Sequence, residues 1–171
     1  MTKRLAFAIL LLAACRPSPP QPANNVQAAA HTEAAYNALE KAIPPAIKTA
    51  IETSPQAAAE LVERYGDLLE QRRFRDALRL WGDNGPGETE FVAEFDKYAT
   101  IRASVGAPGD AEGAAGSIYV DVPLTLSGTL KSGGLFKLAG PTTLRRSNNV
   151  PGSTAEQRRW HIYASELKPV G

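Results

Sequence analysis

The chain of 171 residues contains one cysteine, one methionine and two histidines. A single cysteine excludes an internal disulfide and a cluster of thiolate metal ligands. His31 and His161 lie far apart, and no His-x-x-x-His or acidic pair at ligand spacing accompanies them, so no metal site is expected. Neither sign of charge dominates: 19 Lys and Arg against 18 Asp and Glu leave a net charge of +1. A near-neutral chain of this kind argues against general nucleic-acid binding. Gly-x-Ser-x-Gly and Ser-x-x-Lys are missing from any strand–turn–helix setting, which removes the serine-hydrolase reading. The glycines of 106–116 are followed by no Gly-Lys-Ser/Thr and open no helix, so they read as a flexible connection and not a phosphate loop. No cofactor is expected. Long apolar runs are also missing. The longest, Leu5–Ala14, is ten residues, or about 15 Å of helix against a hydrocarbon core of about 30 Å. It is too short for a stable membrane span.

What is present at the N-terminus has an order. Lys3 and Arg4 give a positive start, Leu5–Ala14 an apolar run, and Ala13-Ala14 a small-residue end, the layout of a secretory signal peptide over residues 1–14. Leu12-Ala13-Ala14-Cys15 resembles the bacterial lipobox, which implies lipidation of Cys15 and a membrane attachment through that lipid. Arg16, not Asp, follows the cysteine, which favours the outer membrane, facing the periplasm. Without residues 1–14 the 19 basic residues lose Lys3 and Arg4, leaving 17 against 18 acidic ones. Residues 15–30 then form a tether: "RPSPPQPANN" holds four prolines and little that can pack.

Residues 31–53 read as a weak helical lead-in, with Tyr36, Leu39, Ile43, Ile47 and Ile51 on one stripe and a break or kink at Pro44-Pro45. The folded domain is expected over 54–171. Ser54 can cap a helix with Pro55 at its first position. Ala58, Leu61, Val62, Tyr65, Leu68 and Leu69 mark its apolar face, with Glu60, Glu63, Arg64, Asp67 and Glu70 toward water. A second short helix carries Phe74, Ala77, Leu78 and Trp81. After the loop "GDNGPG", a third starts near Thr89 and carries Phe91, Phe95 and Tyr98. The period then becomes two. Ile118, Val120, Val122, Leu124 and Leu126 alternate with polar residues in a half-buried strand, and Pro123 places that strand near an edge or at a bulge. "KSGG" is a hairpin turn, Leu135–Arg146 a second strand, and Arg158–Leu167 a third with Trp160, Ile162 and Ala164 on one side; residues 99–105 supply a fourth. The fold class is α+β.

"AAELVERYGDLLEQRRFRDALRLWGD", followed by C-terminal strands, resembles the nuclear-transport-factor-2-like superfamily over roughly residues 55–171. The resemblance implies N-terminal helices packed on a curled antiparallel sheet of about four strands, with a cone-shaped pocket. Superfamily members include ketosteroid-isomerase-like and polyketide-cyclase-like enzymes and many non-catalytic binding domains. Tyr65 matches the position of the isomerase-like tyrosine. The strand that carries their catalytic base has no counterpart here, because Asp83 leads through "NGPGETEF" straight into the third helix. No catalytic residue is therefore assigned.

Two groups of side chains remain as candidate sites. Tyr65, Trp81, Tyr98 and Trp160 are aromatic residues expected to face the interior and line a pocket. Arg145, Arg146, Arg158 and Arg159 flank one loop and could offer guanidinium groups to an anion or a partner. His161 is expected on the strand face opposite Trp160. The reading is a lipid-anchored envelope protein with a domain that binds a small molecule or a partner protein. The alternatives are a cone-pocket enzyme and a structural accessory subunit.

Overall fold

A computed structural model describes residues 44–170. The expected signal peptide, Cys15, the expected tether, His31 and the expected lead-in before Pro44 lie outside the described residues. The helices are α1 (Pro45–Glu52), α2 (Pro55–Glu70), α3 (Phe74–Leu78) and α4 (Glu88–Asp96). The strands are β1 (Tyr98–Val105), β2 (Glu112–Ala114), β3 (Ser117–Leu130), β4 (Leu135–Ser147), β5 (His161–Ser165) and β6 (Lys168–Pro169). They make one antiparallel sheet in the order β1-β3-β4-β5, with β2 on β3 and β6 on β4. The α+β class holds, with two short strands beyond the four expected.

Local chemistry sets the ends of α2. Ser54 is extended, and its Oγ accepts from the Ala57 N–H at 3.2 Å with Pro55 at the first helical position. At the other end Arg72 adopts φ 59°, its N–H donating to the Leu69 carbonyl and that of Arg73 to the Leu68 carbonyl. These two bonds form a Schellman motif with arginine where glycine is usual. The Arg72 side chain holds the turn, donating to the Tyr98 carbonyl and pairing with Asp96 at 3.1 Å.

The buried stripe of α2 lies on the sheet, and Ala58, Val62, Tyr65 and Leu69 join Val120, Val122, Leu124, Leu126, Leu144 and Ile162 in one core. Gly66 lets the helix come close, since a Cβ there would stand 2.6 Å from the Ala103 Cβ. Glu70 does not simply face water. It accepts from the Ala103 N–H and from Arg102, both at 2.8 Å, and so clamps α2 to β1.

Pro45 opens α1 at the position where a break was expected. The structure corrects other expectations. α3 ends at Leu78, and Trp81 forms an isolated parallel bridge with Ile162, because Leu80 and Gly82 bond the Ile162 backbone on either side. α4 ends at Asp96, leaving Tyr98 to open β1.

Pro123 lies in β3, which is central. Directly opposite it on β4 is Pro141. The Pro123 carbonyl accepts from Gly106, just past the end of β1, and the Pro141 carbonyl from Glu166, just past the end of β5. Each proline's missing N–H therefore falls where a neighbouring strand stops, so no ladder bond is lost. Ala164 does not share a side with Ile162. A bulge at Tyr163 between the Leu144–Ile162 and Thr143–Ala164 pairs resets the alternation, and Ser165 turns inward to bond Thr142 at 3.1 Å.

Candidate functional site

A cavity of about 400 Å³, open on one side, lies between α2, α4 and the sheet. Its walls are aromatic. Tyr65 comes from the buried stripe of α2, Phe91 and Phe95 from one face of α4, Trp81 from the bridge to β5, and Tyr98 from the start of β1. Their rings form a continuous series: Tyr65 to Trp81 at 6.4 Å, Trp81 to Phe91 at 6.3 Å, Phe91 to Phe95 at 4.9 Å and Phe95 to Tyr98 at 6.3 Å. Such ring pairs favour tilted and edge-on contacts. Leu138, Leu167 and Ser165 add the sheet side, while Glu90 and Glu94 stand exposed at the rim. Glu94 is paired with Lys97 at 2.6 Å, whereas Glu90 makes no ion pair among the described residues.

Two polar groups are held inside this apolar surround. Burial pushes the Tyr65 phenol well above its ordinary pKa, and the nearby Trp81 indole opposes part of that rise. Proximity is all that this pair achieves, because Trp81 Nε1 is covered and meets no acceptor in hydrogen-bonding geometry among the described residues. A covered donor left without an acceptor costs about 1–3 kcal/mol. The site thus combines flat apolar walls with a neutral phenol. This is chemistry for binding a flat, mostly apolar molecule.

Three of the four aromatic residues expected to line a pocket do so together: Tyr65, Trp81 and Tyr98. Trp160 does not. It is buried elsewhere, donating from Nε1 to the Ser54 carbonyl at 3.1 Å, with the Arg146 guanidinium 5.2 Å from its ring. Phe91 and Phe95 were read only as a helical face. Their place in the wall follows from α4 lying over the cavity, which spacing along one helix does not reveal.

The four arginines do not act as one cluster. Arg145 and Arg146 line a separate groove with His161, but Arg158 and Arg159 do not line it. Arg158 bonds the Ser153 carbonyl and hydroxyl, and Arg159 pairs with Glu156 at 3.5 Å. The turn before β5 folds back on itself and engages them locally. Among the described residues no group of three or more His, Cys, Asp or Glu side chains is placed to hold a metal ion. No described helix is long and apolar enough to cross a membrane.

No family model and no curated relative matches this sequence. Several solved structures are similar, and three of them follow. A conserved protein from Planctomyces limnophilus DSM 3776 is 21% identical, with 65% of this chain and 93% of that chain covered, at a TM-score of 0.45. The Kfla4162 protein from Kribbella flavida is 12% identical, with 72% and 92% covered, at 0.49. An NTF2-like protein of unknown function from Exiguobacterium sp. 255-15 is 18% identical, with 64% and 96% covered, at 0.40. The class that the strand order and helix packing define is an α+β domain with a curled antiparallel sheet. The functional reading rests on the cavity itself.

Proposed function

We propose that the chain is a lipid-anchored protein of the cell envelope whose α+β domain holds a small, flat, largely apolar molecule in the aromatic cavity. The observation that carries the binding role is the cavity of about 400 Å³ with Tyr65 and Trp81 in its wall, within the ~300–1,000 Å³ range of ligand pockets. The resemblance to nuclear-transport-factor-2-like domains supports the same role, since many of them bind without catalysis. The anchor rests on the apolar run ending in Leu-Ala-Ala-Cys and on the proline-rich stretch after it. Arg16 after Cys15 favours the outer membrane, with the domain facing the periplasm.

Two experiments test this reading. In a Trp160→Phe background Trp81 is the remaining tryptophan, and titration with anilinonaphthalene sulfonate should change its emission saturably. Leu138→Phe, which fills the cavity from β4 without adding a tryptophan, should abolish that response while the fold survives. Undiminished binding in the filled variant would refute the cavity. For the anchor, Cys15→Ala should abolish palmitate labelling, and equal labelling in variant and parent would refute it.

A further inference from the structure

The end of the sheet remote from the hairpin carries a second concavity. β4 ends in Arg145, Arg146 and Ser147, with Arg145 opposite His161 on β5 and Tyr119 on β3. Arg145, Arg146, Ser147 and His161 line a groove of about 220 Å³ with Asp83 and Glu156 also on its walls. Adjacent strand residues point to opposite faces, yet both arginines reach this groove because it lies around the sheet end.

Each guanidinium is set by an aromatic ring. Arg145 lies 5.9 Å from the Tyr163 centroid and donates from Nε to Ser117 Oγ at 3.1 Å. Arg146 lies 5.2 Å from the Trp160 centroid. Most other arginines here have a carboxylate: Arg72, Arg73, Arg75, Arg79, Arg102 and Arg159 are all ion-paired. Arg145 and Arg146 have none among the described residues. Arg146 is the more exacting case. Its Nε is covered without a partner, and its Nη1 reaches only the Ser147 carbonyl, at 3.5 Å. Desolvation accordingly lowers its pKa. A partly buried cation without a counter-charge is costly, and an incoming anion relieves that cost.

The surrounding charges select the anion. Asp83 and Glu156 face the same groove, and Glu156 is shared between His161 at 3.1 Å and Arg159. With Glu156 paired to Arg159, Asp83 is the carboxylate left to oppose the two guanidinium groups, a balance that suits a monoanion better than a dianion. A planar carboxylate matches the guanidinium fork. The volume falls below the ~300 Å³ at which pockets for drug-sized ligands begin, so the acid must be compact. We propose that this groove binds a small monocarboxylate, with Arg145 and Arg146 as its two cationic donors.

The test uses the full chain, with propionate and inorganic phosphate as probes, read by the Nε–H resonances of the arginines in ¹⁵N spectra. Propionate should shift the resonances of Arg145 and Arg146 saturably. Losing one charge-assisted hydrogen bond should weaken binding by about tenfold or more in Arg145→Gln. Arg158→Gln lies outside the groove and should leave the affinity unchanged. Arg146→Gln could unsettle the packing on Trp160, so Arg146→Lys serves beside it: charge and stem remain, the fork is lost, and affinity should still fall. No saturable shift, equal weakening by Arg158→Gln, or tighter binding of phosphate than of propionate would each overturn the proposal.

Discussion

Trp160 donates its indole N–H to the carbonyl of Ser54, 3.1 Å away, and so ties the residue before β5 to the cap of α2. Trp81 has the opposite status, with a covered N–H and no acceptor among the described residues. The same substitution should therefore act differently at the two sites. Trp160→Phe removes a made bond and leaves a gap, costing about 1–2 kcal/mol. Trp81→Phe removes an unsatisfied donor, and that gain offsets the lost ring area, so stability should stay within about 0.5 kcal/mol. Urea midpoints compare the two directly. Equal losses would show that Trp81 has an acceptor after all.

Arg72 sits at the left-handed position of the α2 C-terminus, a conformation costing about 1–2 kcal/mol for a residue with a Cβ. Arg72→Ala loses the contacts to Asp96 and Tyr98 and keeps that cost. Arg72→Gly loses the same contacts but removes it. The glycine variant should be the more stable of the two by about 1 kcal/mol, measured by thermal unfolding. The reverse order would mean that the turn relaxes when its side-chain clamp is cut.

A Cβ on Gly140 would stand 1.9 Å from the Glu166 carbonyl oxygen, whereas one on Gly113 would meet nothing within 4 Å. Gly140→Ala must push β4 from the chain after β5, at a cost of about 1–3 kcal/mol or more. Gly113→Ala should be neutral within about 0.5 kcal/mol. Chemical denaturation of both variants decides whether that close approach is needed.

The Ala103 N–H, and after it Arg102, hold the Glu70 carboxyl below its ordinary value of 4.5. A depressed carboxyl pKa stabilises the fold above the unfolded value, and that contribution is lost as pH falls through the folded value. The window therefore lies below about 4.5. Glu70→Gln should lower stability at neutral pH and flatten its decline on the acid side. Asp96, held low by Lys131 and Arg72, acts in the same direction and keeps some acid sensitivity in the variant. An unchanged slope below 4.5 would assign that sensitivity elsewhere.

The start of α2 could be read because capping is local: Ser54, Pro55 and the apolar stripe carry their own instructions. So could β3, where five alternating residues span far enough to fix one face. The bulge at Tyr163 could not, because it arises from the register between β4 and β5 and no residue type marks it. Trp81 was misplaced for a similar reason, its extended backbone being imposed by bonds to Ile162, far along the chain. The cavity was legible in part. Tyr65, Trp81 and Tyr98 are conspicuous aromatic residues, but the bond that takes Trp160 out of the wall depends on where Ser54 lies in space.

The facing prolines, Pro123 and Pro141, constrain how the β3–β4 ribbon can assemble. On β3, β1 pairs from Leu124 toward the hairpin and β2 pairs from Tyr119 back, so Pro123 lies between the two partners. On β4, β6 pairs at Leu138 and Ala139 and β5 from Thr142 onward, so Pro141 lies between them in the same way. Sliding any outer strand past this rung would aim a proline ring at a carbonyl that needs a donor, and a one-residue slip would also turn the core residues toward solvent. The rung therefore works as a stop on both edges of the ribbon, and during folding it disfavours mispaired sheets.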